Sequence, residues 1–153
     1  AFNKLLAGAV LALATTVSAQ AQSLLTGTDT AEILNLARGY GAASLTSQAN
    51  GDPMISGKIE GVSYQVYFRN CTNMPFEDLN FYAGFLDNRP GLEAINDWNL
   101  NKRFSRAYLD QDEDACVEMD IDLVQGIAAD YLDAQFGLWN MVLAEFTTHI
   151  GHK

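Results

Sequence analysis

Residues 62–70 limit the fold more than any other stretch of the chain. Val62, Tyr64, Val66 and Phe68 alternate with Ser63, Gln65, Tyr67 and Arg69. A period of two puts one set on each face of an extended strand, so this segment needs a sheet with one face dry and the other wet. Neighbouring segments supply more strands. Ala43 and Leu45 alternate with polar residues, the turn Asn50-Gly51-Asp52-Pro53 follows, and Met54 to Ile59 reads as a strand closed by Glu60-Gly61. Leu79, Phe81 and Phe85 suggest a fourth strand, which Ala83-Gly84 weaken.

Helical periods flank these strands. Asp29 stands three residues before Glu32, a capping-box spacing, and Ile33, Leu36, Ala37 and Tyr40 follow until Gly39 and Gly41 end the run. Leu92, Ile95 and Trp98 give a short helix over about residues 92–101. Phe104 to Leu109 and Ala115 to Leu123 read as a hairpin. In it Val117, Met119, Ile121 and Leu123 face inward and Glu118, Asp120 and Asp122 face water. A long helix over about 127–150 closes the chain, with Leu132, Phe136, Trp139, Leu143, Phe146 and Ile150 three or four apart. Tyr131, Leu138 and Val142 lie off that stripe, which signals deep burial or a self-association surface. The expected class is α+β, an antiparallel sheet with helices on one face in the order α-β-β-β-(β)-α-β-β-α.

The first 21 residues stand apart. Lys4 precedes the apolar run Leu5 to Ala14, and Ala19-Gln20-Ala21 has the small-x-small form of a cleavage site. That is the layout of an export signal cut after about Ala21. The run is about half the 20 or so residues that a membrane-crossing helix needs, so no membrane anchor is expected after cleavage. Residues 22–28 read as a flexible lead and 29–150 as one domain. The expected location is the periplasm or outside the cell.

The formal net charge is −10, and loss of Lys4 makes it more negative. Such a surface repels phosphate backbones, which argues against nucleic acid as a partner. The hydrophobic content of 48% is that of a folding chain rather than an acidic tail. Cys71 and Cys116 are a candidate disulfide in an oxidising compartment, with two separate thiols as the other reading.

The segments Asn96-Asp97-Trp98-Asn99, Lys102-Arg103-Phe104, Arg106 to Asp110 and Glu118-Met119-Asp120 resemble the central signature of the YbjN domain family. The final helix with Trp139 and Phe146, after a bend at Gly126, fits the same pattern. The resemblance implies a fold similar to class I type III secretion chaperones, which are small α+β proteins that dimerise and hold partner polypeptides. YbjN proteins carry the label of sensory transduction regulators, and no catalytic residues come with it. The export signal sets this chain apart from cytoplasmic members. Where relatives have paired glycines before the last helix, it has Gln125-Gly126.

Other motifs carry weaker chemical signals. Asp110-Gln111-Asp112-Glu113-Asp114 spaces carboxylates like the start of an EF-hand loop, but Ala115 and Ile121 stand where Gly and Glu belong, so an acidic turn is expected and no metal. His149 and His152 read as a fraying tail. The pairs Asp130/Asp133 and Glu77/Asp78 read as solvated surface. Arg106 and Arg103 are expected to pair with Glu118 or Asp120 across the strands, or to contact a partner's carboxylates.

The leading expectation is therefore an exported, non-enzymatic binder of a polypeptide or envelope partner, without a cofactor and with a homodimer in view. Its candidate contacts are Trp98, Arg103, Arg106 and Trp139, although large anchors such as the two tryptophans most often pack in a core. A small hydrolase with an acidic cleft is the alternative, and a calcium-stabilised structural protein ranks third.

Overall fold

The alternating segment forms the third of six strands. A computed structural model describes residues 23–72 and 75–153; the expected export signal, residues 1–21, lies outside the described residues. The elements are α1 (Thr30–Arg38), β1 (Ala42–Ser47), β2 (Pro53–Ile59), β3 (Val62–Arg69), β4 (Asp78–Phe85), α2 (Leu92–Asn101), β5 (Arg106–Leu109), β6 (Ala115–Asp122) and α3 (Ala129–His149). The expected order holds, fourth strand included. The strands form one sheet in the order β1-β2-β3-β4-β6-β5, and each adjacent pair is antiparallel.

Turn chemistry explains the register. Ile59 pairs directly with Val62, so Glu60 and Gly61 are the whole loop, at φ 48° and 87°. Positive φ at both positions is the tight hairpin turn whose twist matches that of the strands. The acidic loop between β5 and β6 is held by its first residue: Asp110 Oδ1 accepts the N–H groups of Asp112 at 2.9 Å and Asp114 at 3.0 Å.

The inward residues of the strands meet α3. Phe81 lies edge-on to Trp139 at 5.8 Å and to Phe136 at 5.0 Å, and Phe85 meets Phe146 at 5.5 Å. The five stripe residues within α3 are buried, as are Ile150 just past its end and Val142. Tyr131, by contrast, is half exposed. Rings of this size, removed from water, are the main favourable term in a domain this small.

Four expectations change. Asp29 does cap α1 by position, but its Oδ2 accepts Thr26 N–H at 2.7 Å rather than a helix N–H, so no capping box forms. The segment expected as a flexible lead is tied to the domain: Leu25 is buried and exchanges backbone hydrogen bonds of 2.7 and 2.9 Å with Ile127. Glu118, expected in water, is 8% exposed. The tail does not fray, because Gly151, at φ 64°, lets Gly151 N–H reach Thr148 O and His152 N–H reach Thr147 O. That is the Schellman closure of a helix.

Candidate functional site

Alternation that fills the core with one set of side chains displays the other on the open face. Register places Tyr67 opposite Asn80, Asn80 opposite Asp120, Tyr82 opposite Glu118, and Glu118 opposite Arg106. Four adjacent strands thus bring tyrosines, arginines and carboxylates to one surface.

Glu118 is its centre. Arg106 reaches Glu118 Oε2 with Nε at 3.1 Å and with Nη2 closer still. Tyr108 donates its hydroxyl to Oε1 at 2.7 Å, and Asn80 Nδ2 lies 3.5 Å from Oε2. Asn80 Nδ2 also donates to Asp120 Oδ1 at 2.8 Å, and its Oδ1 accepts from Arg69 at 3.3 Å. The Arg69 guanidinium sits 4.8 Å over the Tyr67 ring, which meets Tyr82 edge-on at 6.1 Å.

Burial works to raise the Glu118 carboxyl pKa. Hydrogen bonds from Arg106 and Tyr108 and the guanidinium charge outweigh it and hold the group below its usual range. Burial, then the bond to Glu118, pushes the Tyr108 phenol up. Burial likewise raises Tyr82, whose hydroxyl lies 3.5 Å from Cys116 Sγ, and the Cys116 thiol itself. At neutral pH the cluster therefore presents an ionised, fully engaged carboxylate, two protonated phenols and a protonated thiol.

Of the four residues expected to touch a partner, this face holds only Arg106. Trp98 and Trp139 are core residues, 1% and 0% exposed. Trp98 donates Nε1–H to Ser105 Oγ at 3.2 Å and packs on Phe146 at 4.9 Å. Trp139 stands between Phe81 and Tyr64. Arg103 is exposed beside Phe104, its guanidinium 6.0 Å from that ring. The residues that complete the face, Tyr67, Arg69, Asn80, Tyr82 and Tyr108, are not candidate contacts in the sequence because each occupies an ordinary polar-side position of a strand. Asking what the wet positions of adjacent strands share would have found them.

Cys71 and Cys116 are not bridged. Cys71 follows β3 near Arg69, which pairs with Asp78, whereas Cys116 pairs with Gly84 at the other end of β4. Six strand residues span about 20 Å, and a disulfide needs Cα atoms within about 7 Å. Among the described residues no group of three or more His, Cys, Asp or Glu is placed to hold a metal ion. Of the acid pairs, Asp133 accepts the Tyr40 hydroxyl at 3.2 Å and Asp78 accepts from Asn70. A depression of about 530 Å³ between α2 and the end of α3 includes Glu93, Asp97 and His149 in its lining. His149 Nε2 lies 2.7 Å from Ala94 O and 3.9 Å from Asp97 Oδ2.

Residues 30–152 match the model of the YbjN family, described as "Putative bacterial sensory transduction regulator". The chain belongs to the YbjN family. Among curated proteins, none matches it in sequence. This YbjN-family fold is shared with the Yersinia pestis type III secretion chaperone SycH, solved in complex with a stable fragment of YscM2. Identity is 14% and the TM-score 0.51, over 78% of this chain and 97% of SycH. At that identity the likeness is one of fold.

Proposed function

We propose that this YbjN-family chain is an exported, non-enzymatic module that binds a polypeptide partner of the bacterial envelope through the open face of its sheet. The observation that carries the reading is the Glu118 cluster: four strands spend their wet positions on aromatic, guanidinium and carboxylate groups held in fixed geometry. Tyrosine and arginine on a rigid platform are the side chains that protein interfaces favour. The family label and the likeness to a chaperone crystallised with a protein fragment point the same way. The layout of residues 1–21 supports export.

Proton transfer fits the site poorly. Glu118 is ionised with both oxygens occupied, and the neighbouring phenols and thiol keep their protons. The hydrolase alternative needs a shielded, protonated carboxyl. Glu93 and Asp97, in the depression near His149, are both exposed to water.

The reading is tested by purifying the tagged chain from an envelope extract beside a Tyr67→Ala/Arg69→Ala variant. It predicts that the chain fractionates with the periplasm and retains a polypeptide that the variant loses. A cytoplasmic chain, or a partner held equally by both proteins, contradicts it.

A further inference from the structure

The two edges of the sheet are finished differently. At the β5 edge, the Asn99 side chain of α2 donates Nδ2–H to Ala107 O at 2.9 Å and accepts Ala107 N–H at Oδ1 at 2.8 Å. One amide thus takes both outward backbone groups of Ala107, and nothing can pair there. Among the described residues, the β1 edge shows a single such contact, from Arg38 to one of the two lone pairs of Ala43 O, and its other outward groups have no side-chain partner given. Five of its six residues are exposed, and it contains neither proline nor a charged side chain, the usual protections of a free edge.

The hydrogen-bond phase of β1 follows from its turn. Gln48 N–H donates to Asp52 O at 2.8 Å, so Gln48 and Asp52 are a bonded pair, and antiparallel ladders alternate bonded with non-bonded pairs. Ser47 with Pro53, Leu45 with Ile55 and Ala43 with Gly57 are then non-bonded within the sheet. Their β1 members point N–H and C=O outward. Arg38 agrees with this phase, donating Nε–H to Ala43 O at 3.1 Å.

We propose that β1 pairs antiparallel with β1 of a second copy of this chain, about a two-fold axis at Leu45. The outward residues Ala43, Leu45 and Ser47 are spaced symmetrically about Leu45. The two-fold therefore sets Leu45 against Leu45 and Ala43 against Ser47, and the two sheets become one of twelve strands. The side chain of Leu45, 44% exposed on the helix side, is covered by its counterpart. In a chain of net charge −10, an uncharged strand is where two copies meet with least repulsion. The same axis brings Arg38, which lies over Ala43, beside the β1–β2 turn of the other copy and its Asp52. The pairing leaves the Glu118 face open and does not rest on the proposed function.

Sedimentation equilibrium of the chain and of Leu45→Pro tests it. Proline at 45 removes an outward N–H and no bond of the ladder to β2. The expected result is twice the monomer mass for the chain and monomer mass for the variant, with unchanged circular dichroism. A monomeric chain, or a folded variant that remains dimeric, overturns the proposal. If the variant does not fold, hydrogen exchange of the unmodified chain decides. Slower exchange at the Leu45 and Ser47 amides with rising concentration supports the pairing; concentration-independent exchange, or protection that appears only with a foreign polypeptide, overturns it.

Discussion

Arg106 holds Glu118 across the β5–β6 pair with two nitrogens on one carboxylate oxygen, while Tyr108 holds the other oxygen. Removing the guanidinium leaves a nearly buried carboxylate with less compensation, and a charge left partly unpaired costs about 1–3 kcal/mol. Arg106→Ala is expected to lose stability on that scale, whereas Arg103→Ala, from an exposed corner, is expected to change it little. Urea unfolding of both variants measures the contrast.

The same pair fixes a pH dependence. Glu118 has a folded pKa below its unfolded value, so its contribution is fully present above about pH 4.3 and is lost as pH falls through the folded pKa. Stability is expected to fall with acidification in this window, and the part due to Glu118 is expected to shrink in Arg106→Ala. Denaturation midpoints between pH 3 and 7 test this; equal slopes in the two proteins contradict it.

Gly57 is there because Tyr64 needs the room. A Cβ at Gly57 comes within 2.4 Å of the Tyr64 ring, and that ring is 1% exposed. Overpacking of this kind costs about 1–3 kcal/mol. Gly57→Ala is expected to destabilise the chain, and to do so less in a Tyr64→Leu background. A double-mutant cycle that gives additive losses counts against the contact.

Trp98 and Trp139 behave as core residues. Alanine at Trp139 should cost about 3–5 kcal/mol and broaden tertiary spectroscopic signals. A folded Trp139→Ala protein of near-native stability contradicts its placement between Phe81 and Tyr64.

The thiols offer a separate check. Cys116 is buried with its pKa raised, and Cys71 is exposed. A thiol reagent is expected to modify Cys116 only on unfolding. Oxidation is expected to produce no intrachain bridge; a mass two daltons lower in the folded monomer contradicts the separation along β4.

Most of the fold was legible because its signals are local. Period two at 62–70, the Glu60-Gly61 turn and the spacing from Leu132 to Ile150 each follow from residues close in sequence, and the order of elements came with them. What was not legible depends on neighbours distant in sequence. Glu118 alternates with Val117 and Met119 and so reads as solvated, until Arg106, Tyr108 and Asn80 arrive from other strands to cover it. Asp29 sits at the capping-box spacing, but Thr26 claims its carboxylate first. Size alone left Trp98 and Trp139 readable as core anchors or as contacts, and their burial decides for the core. The open face needed the register of four strands before its residues could be seen together.

The central claim is that a polypeptide docks on this open face. Its most direct measurement is photo-crosslinking in intact cells, from a reactive residue placed at Tyr67 on the face and, for comparison, at Tyr131 on the exposed side of α3. The account predicts discrete polypeptide adducts from position 67 and none from position 131. Adducts from 131 alone, or from neither position, contradict it.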